Sequence, residues 1–186
     1  LDLDLTGPGR NGGGAVETPL VLVCTHAKRD TCCAVKGRPL AAELVEDYPD
    51  MVWETSHTKG HRFAPSVMLM PWGYSFGRMN KEAAAQMIAA AARGKYFYPV
   101  NRGRGIFGPR GQVAELAVAR ALIDAGEELS YGQLTATDSG EVSHIDGRRW
   151  RVTLEEREVE GVVSSCGDAP KTGQAIVATG VEPVAG

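Results

Sequence analysis

The pattern of apolar and polar residues predicts alternating strands and helices in the first half of the chain. A short apolar run ending at Cys24 is rich in β-branched residues, as is typical of a strand buried on both faces. An Ala-rich stretch ended by Gly94 is typical of a helix. The predicted elements are, in order, a strand at 19–24, a helix at 39–45, strands at 51–55, 66–70 and 74–77, and a helix at 81–93.

This order favours an α/β (α+β) fold, with helices packed on a mixed sheet whose last two strands form a hairpin around Pro71 and Gly73. A thioredoxin-like layer is the simplest architecture that satisfies it. We therefore expect a thioredoxin-like domain over residues 15–100, preceded by a glycine-rich lead-in.

The second half, residues 101–186, predicts a C-terminal helix and β-hairpin extension packed on the first domain. Residues 101–109 are dominated by Gly and Arg and are interpreted as a loop, and residues from 169 onward predict no clear element. The predicted elements are a helix at 112–125 and strands within 129–137, 142–145 and 149–159, with a tight turn at Asp146-Gly147.

Composition and charge narrow the functional classes. With 43% hydrophobic and 23% charged residues, the chain has the composition of a soluble globular protein. Residues 1–110 contain 14 basic and 10 acidic residues and residues 111–186 contain 6 and 13, so neither half has the basic stripe expected for nucleic-acid binding. No apolar run is long enough for a membrane helix and the first residues are acidic, so we expect a cytoplasmic protein with no membrane contact.

Two pairs of candidate ligands follow predicted strands. Cys24 and Cys33 are separated by eight residues, and His57 and His61 by three. Because each pair begins where a strand ends, all four side chains are expected at one end of the sheet. Thiolate and imidazole groups are ligands for iron-sulfur clusters, zinc or copper. The sequence therefore predicts a metal centre built from Cys24, Cys33, His57 and His61.

This pattern, Cys24-x8-Cys33 followed by His57-x2-Gly60-His61, resembles the sucrase/ferredoxin-like family, which is similar in fold to thioredoxin-like 2Fe-2S ferredoxins. The resemblance implies that these four residues bind one 2Fe-2S cluster and that the protein transfers electrons to or from a redox partner protein, more as a carrier or redox module than as a stand-alone enzyme. Weaker support comes from residues 64–66, 103–105 and 166–167.

The mixed ligand set implied by the resemblance has two consequences. Replacing two thiolates by neutral imidazoles removes negative charge, so we expect a comparatively high reduction potential. A ligating imidazole keeps a proton on its other nitrogen, so we expect reduction to be coupled to proton uptake. The flanking cations, Lys28, Arg29, Lys59 and Arg62, are expected either to stabilise the reduced cluster, to face an acidic partner, or to be ordinary solvated charges.

Several alternatives stay open at this stage. Cys32 competes with Cys33 as the second ligand and is otherwise a spare thiol. Cys166 is left unassigned, since a lone cysteine is more often a small buried hydrophobe than a ligand. The main rival function is a structural Cys2His2 zinc site, although zinc sites usually space their cysteines more closely. A thiol oxidoreductase would need Cys-x-x-Cys, which the chain lacks. His26 and His144 are interpreted as surface residues or, for His26, as a neighbour of the ligands; Arg102, Arg104 and Arg110 are interpreted as part of a structural loop.

Overall fold

The first sheet is built from five strands. The computed structural model describes residues 4, 10–14, 16–28, 31–58 and 60–184, with the backbone but not the side chain of His61. The elements of this half are β1 (Leu20–Cys24), α1 (Thr31–Asp47), β2 (Val52–Thr55), a 3-10 turn (His61–Phe63), β3 (Ser66–Met70), β4 (Tyr74–Gly77), α2 (Lys81–Ala91) and β5 (Asn101–Arg104).

The strand order β2-β1-β3-β4-β5 confirms the expected fold class. β1 pairs in parallel with β2 and antiparallel with β3, and the β3-β4 hairpin continues the sheet. A parallel β-α-β unit followed by an antiparallel hairpin and a helix is the thioredoxin-like arrangement. Its consequence for function is that the ends of β1 and β2 lie at the same edge of the sheet.

Burial explains why these segments form strands and helices. Val21, Val23 and Leu69 have no exposed surface, and they pack with residues of α2 such as Met87 and Ile88 in one core. The apolar run of β1 and the Ala-rich face of α2 therefore belong to the same hydrophobic core.

Helix α1 begins earlier than the pattern predicts, at Thr31 and not at Pro39, so Cys32 and Cys33 lie in its first turn. Pro39 lies inside this helix, where its ring removes one backbone donor. The hydrophobic pattern did not predict the first two turns, because only Cys33 and Gly37 of the helical residues before Pro39 are buried.

The loop prediction for residues 101–109 was partly wrong, because Asn101–Arg104 forms β5 at the edge of the first sheet. Its Gly-Arg sequence has no apolar alternation, and the strand forms because β4 offers unpaired backbone groups.

The C-terminal half contains more strand than the predicted hairpin. Helix α3 (Pro109–Asp124) is followed by β6 (Leu134–Ala136), β7 (Glu141–His144), β8 (Arg149–Val162) and β9 (Lys171–Pro183). These strands form one antiparallel sheet in chain order, and β8 and β9 are its long outer pair. Residues from 169 onward, for which the sequence predicts no clear element, thus contain β9, which pairs along almost the whole length of β8.

A second core lies under α3, and tyrosines join it to the first. Val118, Leu134 and Trp150 belong to the second core, while Tyr96 packs against both. Tyr131, from the C-terminal half, is buried in the first core and stacks on Trp72 with ring centroids 4.8 Å apart. Among the described residues, no helix has the length and apolar character needed to cross a bilayer.

Candidate metal centre

Cys24 and Cys33 meet between the end of β1 and the first turn of α1. Both are buried, at 0% and 1% exposure, and pack with Ala64 in a small cluster of their own. The approach depends on Gly37, where an added Cβ would lie 2.2 Å from the carbonyl oxygen of Cys24. Glycine in the second turn of α1 therefore lets the helix rest directly on the end of β1.

The surroundings of Cys24 favour its thiolate. Burial raises the pKa of this thiol, but hydrogen bonds from the backbone N–H groups of Thr58 and His26, from Cys33 and from the Thr58 side chain outweigh it and lower the pKa. The thiolate is the form that binds metals. Backbone N–H donors aimed at a cysteine sulfur are also among the groups that tune iron-sulfur centres.

His57 lies on the loop that follows β2, at the same edge of the sheet. Cys24 is paired with Thr55 in the parallel β1-β2 register, and the Thr25 N–H donates to the Thr55 carbonyl at 3.2 Å. The rings of His57 and His26 have centroids 6.0 Å apart. The ladder thus holds the loop of His57 beside the end of β1.

His61 begins the 3-10 turn that continues this loop, but its side chain lies outside the described part of the chain. The Phe63 N–H donates to the Gly60 carbonyl at 2.8 Å and closes the turn. Gly60 has φ +71, a left-handed conformation that glycine adopts without steric cost.

The interpretation of Cys32 as a spare thiol was wrong, and Cys166, which the sequence leaves unassigned, is its partner. The structure joins them as a disulfide with Cα atoms 6.2 Å apart and 134 residues between them in sequence. Cys32 is therefore not a spare thiol, and Cys166 is partly exposed instead of being a buried hydrophobe. The bond brings the connection between β8 and β9 to the helix turn that carries Cys33, a contact that no local pattern signals.

His144 was wrongly interpreted as plain surface. Its side chain is only 9% exposed, and its Nδ1 lies 2.8 Å from Oδ1 of Asp146 in the tight turn after β7. His26 does lie beside the candidate ligands, where its backbone contacts Cys24. Arg29 and Lys59 lie outside the described residues.

The donor set fits a thiolate-imidazole metal centre in its chemistry. Two buried sulfurs are in contact, and backbone N–H groups face one of them. Across the described residues no preformed group of three or more His, Cys, Asp or Glu side chains has metal-binding geometry. The structure thus brings Cys24 and Cys33 together and places the loop of His57 and His61 next to them.

Sequence reasoning missed Gly37 and Thr58 as parts of the site. Gly37 precedes the predicted helix at 39–45, so its place inside α1 and its contact with Cys24 follow only from the tertiary structure. Thr58 lies between the two candidate histidines, yet nothing in the spacing indicates that its backbone N–H faces Cys24.

Comparison with known proteins gives a family match over the N-terminal part of the chain. The sequence model of the family described as Sucrase/ferredoxin-like matches residues 12–103, which include all four candidate ligands. No curated protein matches the chain significantly.

Two solved structures of a thioredoxin-like 2Fe-2S ferredoxin from Aquifex aeolicus are similar to part of this chain. One has a TM-score of 0.40 at 16% identity and covers 48% of this chain and 94% of that chain. The other, the wild-type protein, has a TM-score of 0.34 at 17% identity and covers 42% and 89%.

Proposed function

We propose that this protein binds one 2Fe-2S cluster through Cys24, Cys33, His57 and His61 and transfers electrons to or from a partner protein. The single observation that carries the proposal is the buried contact between Cys24 and Cys33 at the sheet edge beside the His57 loop. The match of residues 12–103 to the sucrase/ferredoxin-like family supports it.

The residues of this chain have separate tasks in that function. Cys24 would bind iron as a thiolate, which the hydrogen bonds from Thr58 and His26 stabilise. Gly37 keeps the Cys33 helix turn against β1. His57 and His61 would bind as neutral imidazoles, and each would hold one exchangeable proton on its non-ligating nitrogen.

When bound, the cluster supplies one-electron redox chemistry. With two imidazole ligands its potential is expected to be high for a ferredoxin, and to fall with rising pH where a histidine proton is taken up with the electron. A midpoint potential that stayed constant from neutral to strongly alkaline pH would contradict the proton coupling.

The decisive measurement is the visible spectrum and metal content of the purified protein. We expect a red-brown sample with two irons per chain that bleaches with dithionite. A colourless sample containing one zinc per chain would replace the proposal by the structural zinc site that the same residue types permit.

Ligand substitutions test the assignment itself. Cys24→Ser is expected to abolish or severely destabilise the cluster, whereas His57→Cys with His61→Cys should keep a cluster at lower potential, because thiolates add negative charge. Arg38→Gln, on the exposed face of the same helix, is the matched control. An unchanged spectrum in Cys24→Ser would overturn the ligand set.

A further inference from the structure

Three arginine side chains surround one aromatic ring beside the candidate ligand loop. The guanidinium carbons of Arg102, Arg62 and Arg78 lie 4.0, 4.7 and 5.9 Å from the centroid of Phe63. Phe63 ends the 3-10 turn that begins at His61, so this arginine cluster (Arg62, Arg78 and Arg102) adjoins the loop of the candidate metal centre.

Within the described part of the chain, no carboxylate forms an ion pair with the arginine cluster. Over the described residues, Arg120, Arg148, Arg151 and Arg157 each form an ion pair with Asp or Glu, and none of the three arginines of the cluster does. Burial and the neighbouring charge of Arg62 lower the pKa of Arg102. Like charges held this close repel one another, so an anionic partner would be stabilised there.

The backbone is shaped to hold this cluster. A Cβ on Gly60 would lie 2.6 Å from Nη1 of Arg102, and a Cβ on Gly77 would lie 2.7 Å from Cβ of Phe63. Arg78 has φ 56, a left-handed conformation that is uncommon for a residue with a side chain. Backbone conformations of this kind are concentrated at functional sites.

Two members of the arginine cluster, Arg62 and Arg78, line a cleft together with Phe63. Its opposite wall is the distal end of the β8-β9 pair, where Val159 and Val163 are 40% and 39% exposed. The carboxylate of Glu160 and the amide of Gln174 also line that wall. The cleft therefore has two arginines on the side of the ligand loop, and valines with one carboxylate on the side of the hairpin.

We propose that an acidic segment of a partner protein binds in this cleft. Its carboxylates would pair with the arginines, and its apolar side chains would pack against Val159 and Val163. Arginine and aromatic residues are typical anchors of protein interfaces. Arg62 and Arg78 are both exposed beside the ring of Phe63, so both guanidinium groups are accessible to the carboxylates of a bound chain.

The redox nature of this partner rests on the proposed function, whereas the docking itself does not. A partner bound in the cleft would lie against the loop of His57 and His61, on the side where an electron would leave or enter. An acidic partner would also be steered to this face by the positive charge.

The test measures binding of a labelled peptide of alternating Glu and Leu by fluorescence anisotropy, with the Gln-Leu peptide as its neutral counterpart. The full protein as purified is used. We expect the acidic peptide to bind the better of the two, and Arg62→Gln with Arg78→Gln to weaken it by roughly tenfold. Binding should also weaken with added salt.

The control is Arg38→Gln with Arg93→Gln, which removes the same charge from exposed positions away from the cleft. Equal binding of the two peptides, or an equal loss in the control, would overturn the proposal. Competition by inorganic phosphate well beyond the effect of chloride at the same ionic strength would identify a small-anion site and overturn it too. A colourless protein that still binds the acidic peptide would refute the proposed redox function alone.

Discussion

At the residue scale, the most unusual group outside the candidate metal centre is Glu115. It is a fully buried carboxyl group on α3 that accepts a hydrogen bond from the Tyr74 hydroxyl on β4. Its Oε2 and the Tyr96 hydroxyl have no hydrogen-bond partner among the described residues. Burial raises the pKa of Glu115 to about 7, against the hydrogen bonds from Tyr74 and the Arg104 backbone, which lower it.

This raised pKa predicts that stability falls as pH rises. Between the unfolded value of 4.5 and about 7, the folded protein holds a proton that the unfolded chain has released. The contribution of Glu115 is therefore most favourable below the unfolded pKa and is lost as pH rises toward the folded pKa, by about 3 kcal/mol. Urea unfolding across this pH range measures it.

Glu115→Gln tests the assignment, because the amide keeps an oxygen acceptor for Tyr74 and does not titrate. We expect the variant to lose the decline in unfolding free energy over this range. The exposed Glu43→Gln on α1 is the control and should keep it. A wild-type slope in Glu115→Gln would show that another group causes the pH dependence.

At the element scale, α1 is positioned by the absence of a side chain at residue 37. Alanine normally stabilises a helix relative to glycine by up to about 1 kcal/mol. Here a methyl group would collide with the carbonyl oxygen of Cys24, which is backbone and has little freedom to move.

Gly37→Ala is therefore expected to destabilise the protein by roughly 1–3 kcal/mol, the reverse of the helix propensity. It should also disturb the contact between Cys24 and Cys33, which thiol reactivity in the metal-free protein would report. Arg38→Ala is the matched control on the same helix. A more stable Gly37→Ala variant would contradict the packing of α1 on β1.

The β8-β9 pair is a second element whose position depends on one contact, the bond between Cys32 and Cys166. Removing a disulfide that closes so long a loop typically costs about 2–5 kcal/mol. We expect Cys166→Ser to lose stability in that range and Cys32→Ser with Cys166→Ser to lose no more, since both remove the same bond. Mass spectrometry after alkylation without reductant checks the pairing, and full alkylation of both thiols in the native protein would refute it.

At the scale of the whole molecule, the two cores are joined by buried groups instead of a linker. Tyr74 and Glu115 connect β4 to α3, Tyr131 lies in the first core, and Lys95 pairs with Ser130 through a backbone bridge. Unfolding one half would expose the buried surface of the other.

We therefore predict one cooperative unfolding transition. Trp53 is on β2 and Trp150 on β8, so variants that retain only one of these two tryptophans, with Trp72→Phe in both, report on the two halves separately. Their denaturation midpoints should coincide after correction for each variant's stability measured by circular dichroism. Two separated transitions would show that residues 15–100 and 101–186 unfold as independent domains.

The amino-acid sequence by itself determined the central elements and the spacing of the candidate ligands. Strands β1 and β3 and helix α2 have strong local patterns, because one continuous apolar stretch or face must be buried. The motif Cys24-x8-Cys33 with His57 and His61 can also be recognised locally, since it consists of residue types at given separations along the chain.

Tertiary structure alone decided the features that depend on a partner from elsewhere in the chain. β5 and β9 are strands because a neighbouring edge offers backbone hydrogen bonds, not because their side chains alternate. The Cys32–Cys166 bond, the buried Glu115 and the arginines on Phe63 join residues far apart in sequence. Periodicity reports which face of a segment is buried, and it contains no information about which distant group will face it.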